Sequence, residues 1–323
     1  MKCIRIGLIL AGLCSALSAF AATFSVTSPT NGAWLGSSNT LNFTGTGAHV
    51  QVTVTAVITS PGGSTTISTT ANPVVNGDFS GSLPLNFSAS VAQGDYTIAV
   101  TATEPGNTYT PVNLNVKVDT KTPKLLEYTP AQNSFTKGTI PIFFKLLEAN
   151  MKEWTITVGG AGFPGNTGTT ETSLSVSYDS STLENDGSQN IQLTAKDQAL
   201  NTFSFTIPLT IDRKAPTSVI QFPQSTSPIR PRSDITVIAD VADQFAGSVD
   251  LTGVDVVIQN TSGVFLGRAS RLSWKDIGNN TWRWTGRIRY RAGLPSTYKI
   301  VVSSLDKAGN VAVRQEVTVH PGA

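Results

Sequence analysis

Val116-Lys117-Val118-Asp119-Thr120-Lys121-Thr122-Pro123 returns 93 residues later as Leu209-Thr210-Ile211-Asp212-Arg213-Lys214-Ala215-Pro216. Each copy is the end of an alternating apolar run, then an Asp, a short polar stretch and a Pro that cannot continue a ladder. Just upstream of each copy the residues read as a strand, a turn and a second strand. The turns are Glu104-Pro105-Gly106-Asn107 and Asp197-Gln198-Ala199-Leu200-Asn201. A third turn, Asp306-Lys307-Ala308-Gly309-Asn310, precedes a last strand that ends near His320. Self-similarity at a fixed spacing marks an array of like structural units. The chain therefore divides near residues 118 and 213, giving 22–118, 119–213 and 214–323 behind an N-terminal segment, 1–21.

Within each unit the apolar period is two. Gln51 to Val57, Ile235 to Val241 and Trp282 to Tyr290 alternate, and Val, Ile, Thr and Phe fill the runs. Gly, Asn, Ser and Pro punctuate them at short intervals, as turns require. No amphipathic helix of three turns is legible after the first segment; Lys145 to Glu153, rich in helix formers, reads as a strand end and a loop. About seven strands in roughly 100 residues, three times over, predict an all-β chain of three tandem immunoglobulin-like β-sandwich domains. Tyr96 and Tyr298 open penultimate strands, where a tyrosine corner sits, and Trp154 takes the place of the core Trp. Ile98, Leu193 and Ile300 stand where a disulfide would be.

The Asp-Lys-Ala-Gly-Asn turn and the Val-Asp-x-x-x-Pro joint resemble the tandem bacterial immunoglobulin-like repeats of secreted and surface proteins. The resemblance covers the chain after residue 21. It implies a bacterial cell-surface or extracellular protein. In large adhesins of this kind, Asp residues at the joints hold calcium. Fold is what the resemblance fixes, since such repeats serve as spacers, adhesive arrays and enzyme accessories.

Residues 1–21 read as a cleaved signal peptide: Lys2 and Arg5, an apolar run from Ile6 to Leu13, and Ala19-Phe20-Ala21 before the cut. The run is shorter than the roughly 20 apolar residues a spanning helix needs. Leu13, before Cys14, is not the small residue a lipidation site expects. Export removes both Cys, so the exported chain has no disulfide and rests on its cores. It also removes two bases, leaving 21 Lys and Arg against 21 Asp and Glu. A neutral exported chain argues against nucleic acid. No sorting motif or apolar tail is read near Ala323, so the expected location is extracellular or at the cell surface, with the periplasm as an alternative.

The residues for enzymatic chemistry are sparse. His49 and His320 are the two histidines, no Ser lies in a nucleophile elbow, and Gly159-Gly160-Ala161-Gly162 has no helix behind it to cradle a phosphate. The expectation is a non-enzymatic protein.

Two clusters of candidate binding residues stand out. In a tandem array the final strand of one sandwich delivers its tail to the B–C and F–G loops of the next. The first joint then gathers Asp119, Glu148 with Asn150, and Asp197 with Asn201. The second gathers Asp212, Asp243 with Asp240 nearby, and Asp306 with Asn310. The separations from Asp119 to Glu148 and from Asp212 to Asp243 are 29 and 31 residues, so the joints match in register. Three carboxylates plus carbonyls suit calcium, which takes six to eight oxygens. The competing reading is that Asp197 and Asp306 cap their own turns while Asp119 and Asp212 end strands.

The other cluster lies on the third unit, which carries a formal charge of +5 against −2 and −3 for the first two. In Trp282-Arg283-Trp284-Thr285-Gly286-Arg287-Ile288-Arg289-Tyr290-Arg291, even positions read as core and odd ones as an exposed stripe. Arg283, Arg287, Arg289 and Arg291 could contact an acidic polysaccharide, lipopolysaccharide phosphates or an acidic protein, or could be a solvated face paired with acids on adjacent strands. The nearly uncharged first unit allows self-association. A structural or adhesive role is expected, with a cell-surface protein or polysaccharide as partner. The alternatives are a carbohydrate- or polyanion-binding module and an accessory subunit of a surface assembly.

Overall fold

The structure, a computed structural model, describes residues 22–321. The signal-peptide reading and its cleavage after Ala21 lie outside these residues. By internal contacts the described chain forms two compact units. One ends at Thr122 and includes Gln198–Asn201; the other holds the rest.

The first unit is one β-sandwich. Its strands are β1 Thr23–Ser28, β2 Trp34–Leu35, β3 Ser38–Thr46, β4 Val52–Ser60, β5 Gly63–Ala71, β6 Phe79–Asn86, β7 Gly94–Glu104, β8 Asn107–Thr108 and β9 Val112–Val118. One sheet runs β1-β3-β6 and the other β2-β9-β7-β4-β5, with β8 added to β7. This is the immunoglobulin-like arrangement: the first strand pairs antiparallel with β3, then the chain switches sheets so that β2 runs parallel to β9. The alternation read in the sequence is the cause. Val52, Val54 and Ala56 face inward from β4, and Leu83 and Leu85 from β6, into a core that includes Phe43 and Ile98. Tyr96 forms the corner, its hydroxyl donating to the carbonyl of Ala92 at 2.8 Å.

The second unit holds two further sandwiches, the first with the same parallel pairing and the other with antiparallel pairs throughout. The first comprises β10 Lys124–Thr129, β11 Ser134–Thr136, β12 Thr139–Leu147, β13 Met151–Val158, β14 Thr167–Gly168, β15 Ser173–Asp179, β16 Gly187–Asp197 and β17 Thr202–Ile211. Its sheets are β10-β12-β15 and β11-β17-β16-β13-β14, with β11 parallel to β17. Trp154 on β13 is buried, and its ring lies over Gly168, where any Cβ would come within 2.4 Å of it. The other comprises β18 Thr217–Phe222, β19 Ile235–Ala242, β20 Asp255–Gln259, β21 Phe265–Arg268, β22 Ser270–Gly278, β23 Thr281–Ile288, β24 Tyr298–Ser303 and β25 Gln315–Val319. Its sheets are β18-β19-β23-β22 and β21-β20-β24-β25. Each sandwich has its own buried core. Lys145 to Glu153 is the end of β12, a three-residue loop and the start of β13. The described chain is thus a tandem of immunoglobulin-like β-sandwiches.

One expectation fails at the end of β23. Trp284 and Ile288 are buried, but the strand stops at Ile288 and Tyr290 is 40% exposed. Its backbone N–H donates to Asp234 Oδ1 at 2.9 Å instead of to a sheet partner. The period of two holds only while the ladder lasts.

Candidate metal centre

Asp212, Asp243 and Asp306 come together in the second unit. Each offers a carboxylate oxygen, and the three oxygens lie within 4.8 Å of one another. Asp212 directly follows β17, and its N–H donates to Thr136 O at the end of β11. Asp243 follows β19 in the B–C loop, its N–H bonded to Asn280 O. Asp306 opens the F–G turn after β24. Strand ends therefore place all three, and the loops beyond them are fixed by backbone hydrogen bonds.

The carboxylates are short of donors. Asp306 Oδ1 accepts from the Asn310 N–H at 2.8 Å and Oδ2 from Asn310 Nδ2 at 2.7 Å. Asp212 Oδ1 accepts from Gln244 Nε2 at 2.7 Å and from the Lys214 N–H at 3.3 Å. Asp243 Oδ1 accepts from the Gln244 N–H at 2.6 Å. Asp212 Oδ2 and Asp243 Oδ2 are buried with no hydrogen-bond partner, although Asp212 and Asp306 are almost fully buried residues. Nearby bases are engaged elsewhere. Arg213 pairs with Asp186, Lys137 Nζ donates to Gly309 O at 2.6 Å, and Lys307 lies over the Phe135 ring. Burial pushes the carboxyls of Asp212 and Asp243 up, and the neighbouring carboxylates push the same way: Asp243 and Asp306 for Asp212, Asp306 for Asp243. At such separations two unit charges repel by roughly 3 kcal/mol at an effective dielectric of about 20.

A hard cation meets these conditions. Oxygens bound to one calcium at about 2.4 Å must lie within about 4.8 Å of each other, and the three carboxylate oxygens lie inside that limit. The donors are all oxygen, with no imidazole or thiolate in the cluster, so the set suits calcium and not zinc. Both sequence readings describe part of it: Asp306 does cap its own turn through Asn310, and still faces the other two carboxylates.

Sequence reasoning missed Gln244 and Asp186. The Gln244 amide bridges Asp212 Oδ1 and Asp186 Oδ2, at 2.7 and 2.9 Å. Asp186 in turn accepts the Arg213 N–H at 3.0 Å. A Gln beside an Asp in a loop carries no pattern that a sequence reading could use. Asn310 was legible, and it does more than was read: its Nδ2 also donates to Asp212 O at 2.8 Å. Asp240, expected nearby, instead pairs with Arg283.

The residues expected at the first joint fall in both units. In the first, Asp119 is buried after β9; its Oδ1 accepts from the Lys121 N–H, and its carbonyl from Asn201 Nδ2 at 2.7 Å. In the second, Asp197 is fully buried at the end of β16, and Glu148 Oε1 accepts from the Asn150 N–H at 2.7 Å.

The first sandwich carries a carboxylate at the same turn, Glu104, and saturates it. The N–H groups of His49 and Val50, Asn107 Nδ2 and the Tyr109 hydroxyl all donate to it at 2.8–3.3 Å. Burial acts to raise its pKa, but these bonds outweigh it and hold the carboxyl below its usual range. Burial and the adjacent carboxylate push Tyr109 up to about 12, so it stays a donor.

The arginine stripe divides. Arg283 binds Asp240 in two-pronged fashion, Nε to Oδ1 at 2.7 Å and Nη2 to Oδ2 at 2.8 Å, and leaves the expected ligand set. The cause is register, since β19 puts Asp240 directly opposite. Arg287, Arg289 and Arg291 are exposed. Among the Trp side chains, Trp34 lies under Lys117, Trp274 donates to Leu251 O, and Trp282 is half-buried. Among the described residues no helix is long and apolar enough to cross a membrane.

No family model matches the chain, and no curated protein matches it. Solved structures are similar in fold. The fibronectin(III)-like modules of Clostridium thermocellum CbhA match at 12% identity over 62% of this chain and 93% of that one, with a TM-score of 0.36. A tetra-tandem repeat from the extending region of a large adhesion protein matches at 20% identity over 94% and 74%, with a TM-score of 0.33. A Ca²⁺-stabilised adhesin with which an Antarctic bacterium binds ice matches at 20% identity over 95% and 75%, with a TM-score of 0.32.

Proposed function

We propose that this is an exported, non-enzymatic array of three immunoglobulin-like domains, 22–118, 119–213 and 214–323, with a structural or adhesive role at the bacterial cell surface. Its joints are stiffened by calcium. The observation that carries the reading is the pair of buried, unpartnered oxygens on Asp212 and Asp243, two carboxylates that cluster with that of Asp306. An unpaired buried charge costs several kcal/mol, and these three carboxylates sit where one sandwich hands the chain to the next. A cation there ties the strand end of one domain to two loops of the other. The matching register of Asp119, Glu148 and Asp197 in the sequence extends the reading to a second ion at the first joint.

The role of the metal is mechanical. Interdomain joints bend by default, and an ion held by both sides removes that freedom. Small-angle scattering of the exported chain tests this. Millimolar calcium should lengthen the maximum dimension and narrow its distribution relative to chelator. An unchanged profile would leave the Asp residues as turn caps alone.

A further inference from the structure

Arg283 and Arg287 share the outer face of β23, yet their surroundings differ. Arg283 has Asp240 opposite it, whereas Arg287 has Thr236 on β19 and Ser270 on β22. Hydroxyls cannot neutralise a guanidinium. Beyond the strand, Arg289 and Arg291 are exposed, and no described carboxylate forms an ion pair with any of these three. Asp234, close in space, is spent on the Tyr290 N–H. Together with Arg268, which is shared with Asp255, the three arginines rim a cavity of about 160 Å³. Ile258, Leu266, Ile288 and Leu294 supply apolar lining between them. A second cavity, of about 220 Å³, shares Ile288 and Leu294 with the first and carries Arg230, Arg232 and Tyr290.

We propose that this end of the third sandwich binds an acidic polysaccharide across the two cavities. Carboxylate or sulfate groups sit on Arg287, Arg289 and Arg291, where planar guanidinium forks match oxyanions. The apolar side chains that line the cavities and the exposed Tyr290 ring take the carbon faces of successive sugars. Two small concavities with a common wall suit a chain of ring-sized units. A nucleic acid duplex would need a continuous basic face, and here the basic run is interrupted at Arg283 by Asp240. The site is independent of the joint carboxylates.

Binding of the exported full chain to heparin (sulfate) and polygalacturonate (carboxylate) by calorimetry at low salt tests this, with neutral dextran and single-stranded DNA as further arms. One or both acidic polysaccharides should bind, more weakly as salt screens the charges, and dextran should not. The triple variant Arg287→Ser, Arg289→Ser, Arg291→Ser should weaken binding at least tenfold. A charge-matched control, Arg271→Ser, Lys275→Ser, Arg314→Ser, should change it less than twofold; all six sites are exposed, and circular dichroism checks that both variants fold. Equal loss in the control, or no binding of either acidic polysaccharide, would overturn the proposal. Equal or tighter binding of DNA would overturn the polysaccharide assignment.

Discussion

Glu104 in the first sandwich and Asp306 in the third occupy the same turn of the same fold, with opposite electrostatics. Glu104 collects two backbone N–H groups, an amide and a phenol, and its charge is fully met from within its own sandwich. Asp306 collects only Asn310, and faces two further carboxylates that each keep a bare oxygen. The difference follows from local sequence. Glu104 is one methylene longer and reaches the B–C backbone, and Tyr109 follows it closely. At Asp306 the B–C loop instead contributes its own acid, Asp243. One turn position therefore serves as a closed cap or as one member of a carboxylate cluster, depending on what the neighbouring loop offers.

The largest effect should come from breaking the closed cap. Glu104→Ala orphans several buried donors and should cost about 3–5 kcal/mol. That lowers the melting of the first sandwich by more than about 10 °C, equally with and without calcium. Thermal melts in both buffers check this; a calcium-dependent loss would make Glu104 part of a cation site and erase the contrast.

Asp243→Asn should act in the reverse direction. In chelator it relieves carboxylate repulsion and should raise stability by about 1 kcal/mol; in millimolar calcium it should be less stable than the parent. Chemical denaturation in the two buffers reads the crossing. Destabilisation in chelator would mean that the bare oxygens are satisfied without a metal.

The two sites should also respond to pH with opposite signs. Asp212 and Asp243 have carboxyls raised by burial and by neighbouring carboxylates, Asp243 and Asp306 for the one and Asp306 for the other. The stability they contribute is present below the ordinary carboxylate range and lost as pH rises through their raised values. Glu104 is depressed, so its contribution is present above the ordinary value and lost as pH falls through the folded one. Without calcium, lowering the pH from neutrality toward the ordinary carboxylate range should therefore stabilise the parent relative to Asp243→Asn, and calcium should abolish that gain. Melts across this range, compared between the two proteins, check it. The smallest effect is expected at Lys137→Ala, which removes one exposed hydrogen bond to Gly309 beside the site and should change stability by less than about 0.5 kcal/mol.

What could be read in the sequence was what repeats. The period-two runs fixed strand faces, and the recurring turn and joint placed Asp212, Asp243 and Asp306 on strand ends that the fold must bring together. What could not be read depends on pairing across the sheet or on loop course. Asp240 and Arg283 are 43 residues apart and meet only because β19 and β23 share one register. Tyr290 was assigned to the core because alternation does not announce where a ladder stops. Gln244 bridges Asp212 and Asp186 from a loop position with no periodicity behind it. Glu104 was seen only as a turn residue, since its donors come from a loop 54 and 55 residues upstream.

The central claim is that Asp212, Asp243 and Asp306 hold calcium. Calorimetric titration of the exported chain with calcium, set beside Asp212→Asn and Asp243→Asn, tests it most directly. Binding is expected in the range of about 10⁻⁴ to 10⁻³ M, as for extracellular modules, with one ion fewer per chain in each variant. No heat of binding in the parent, or the same stoichiometry and affinity in all three proteins, would contradict it.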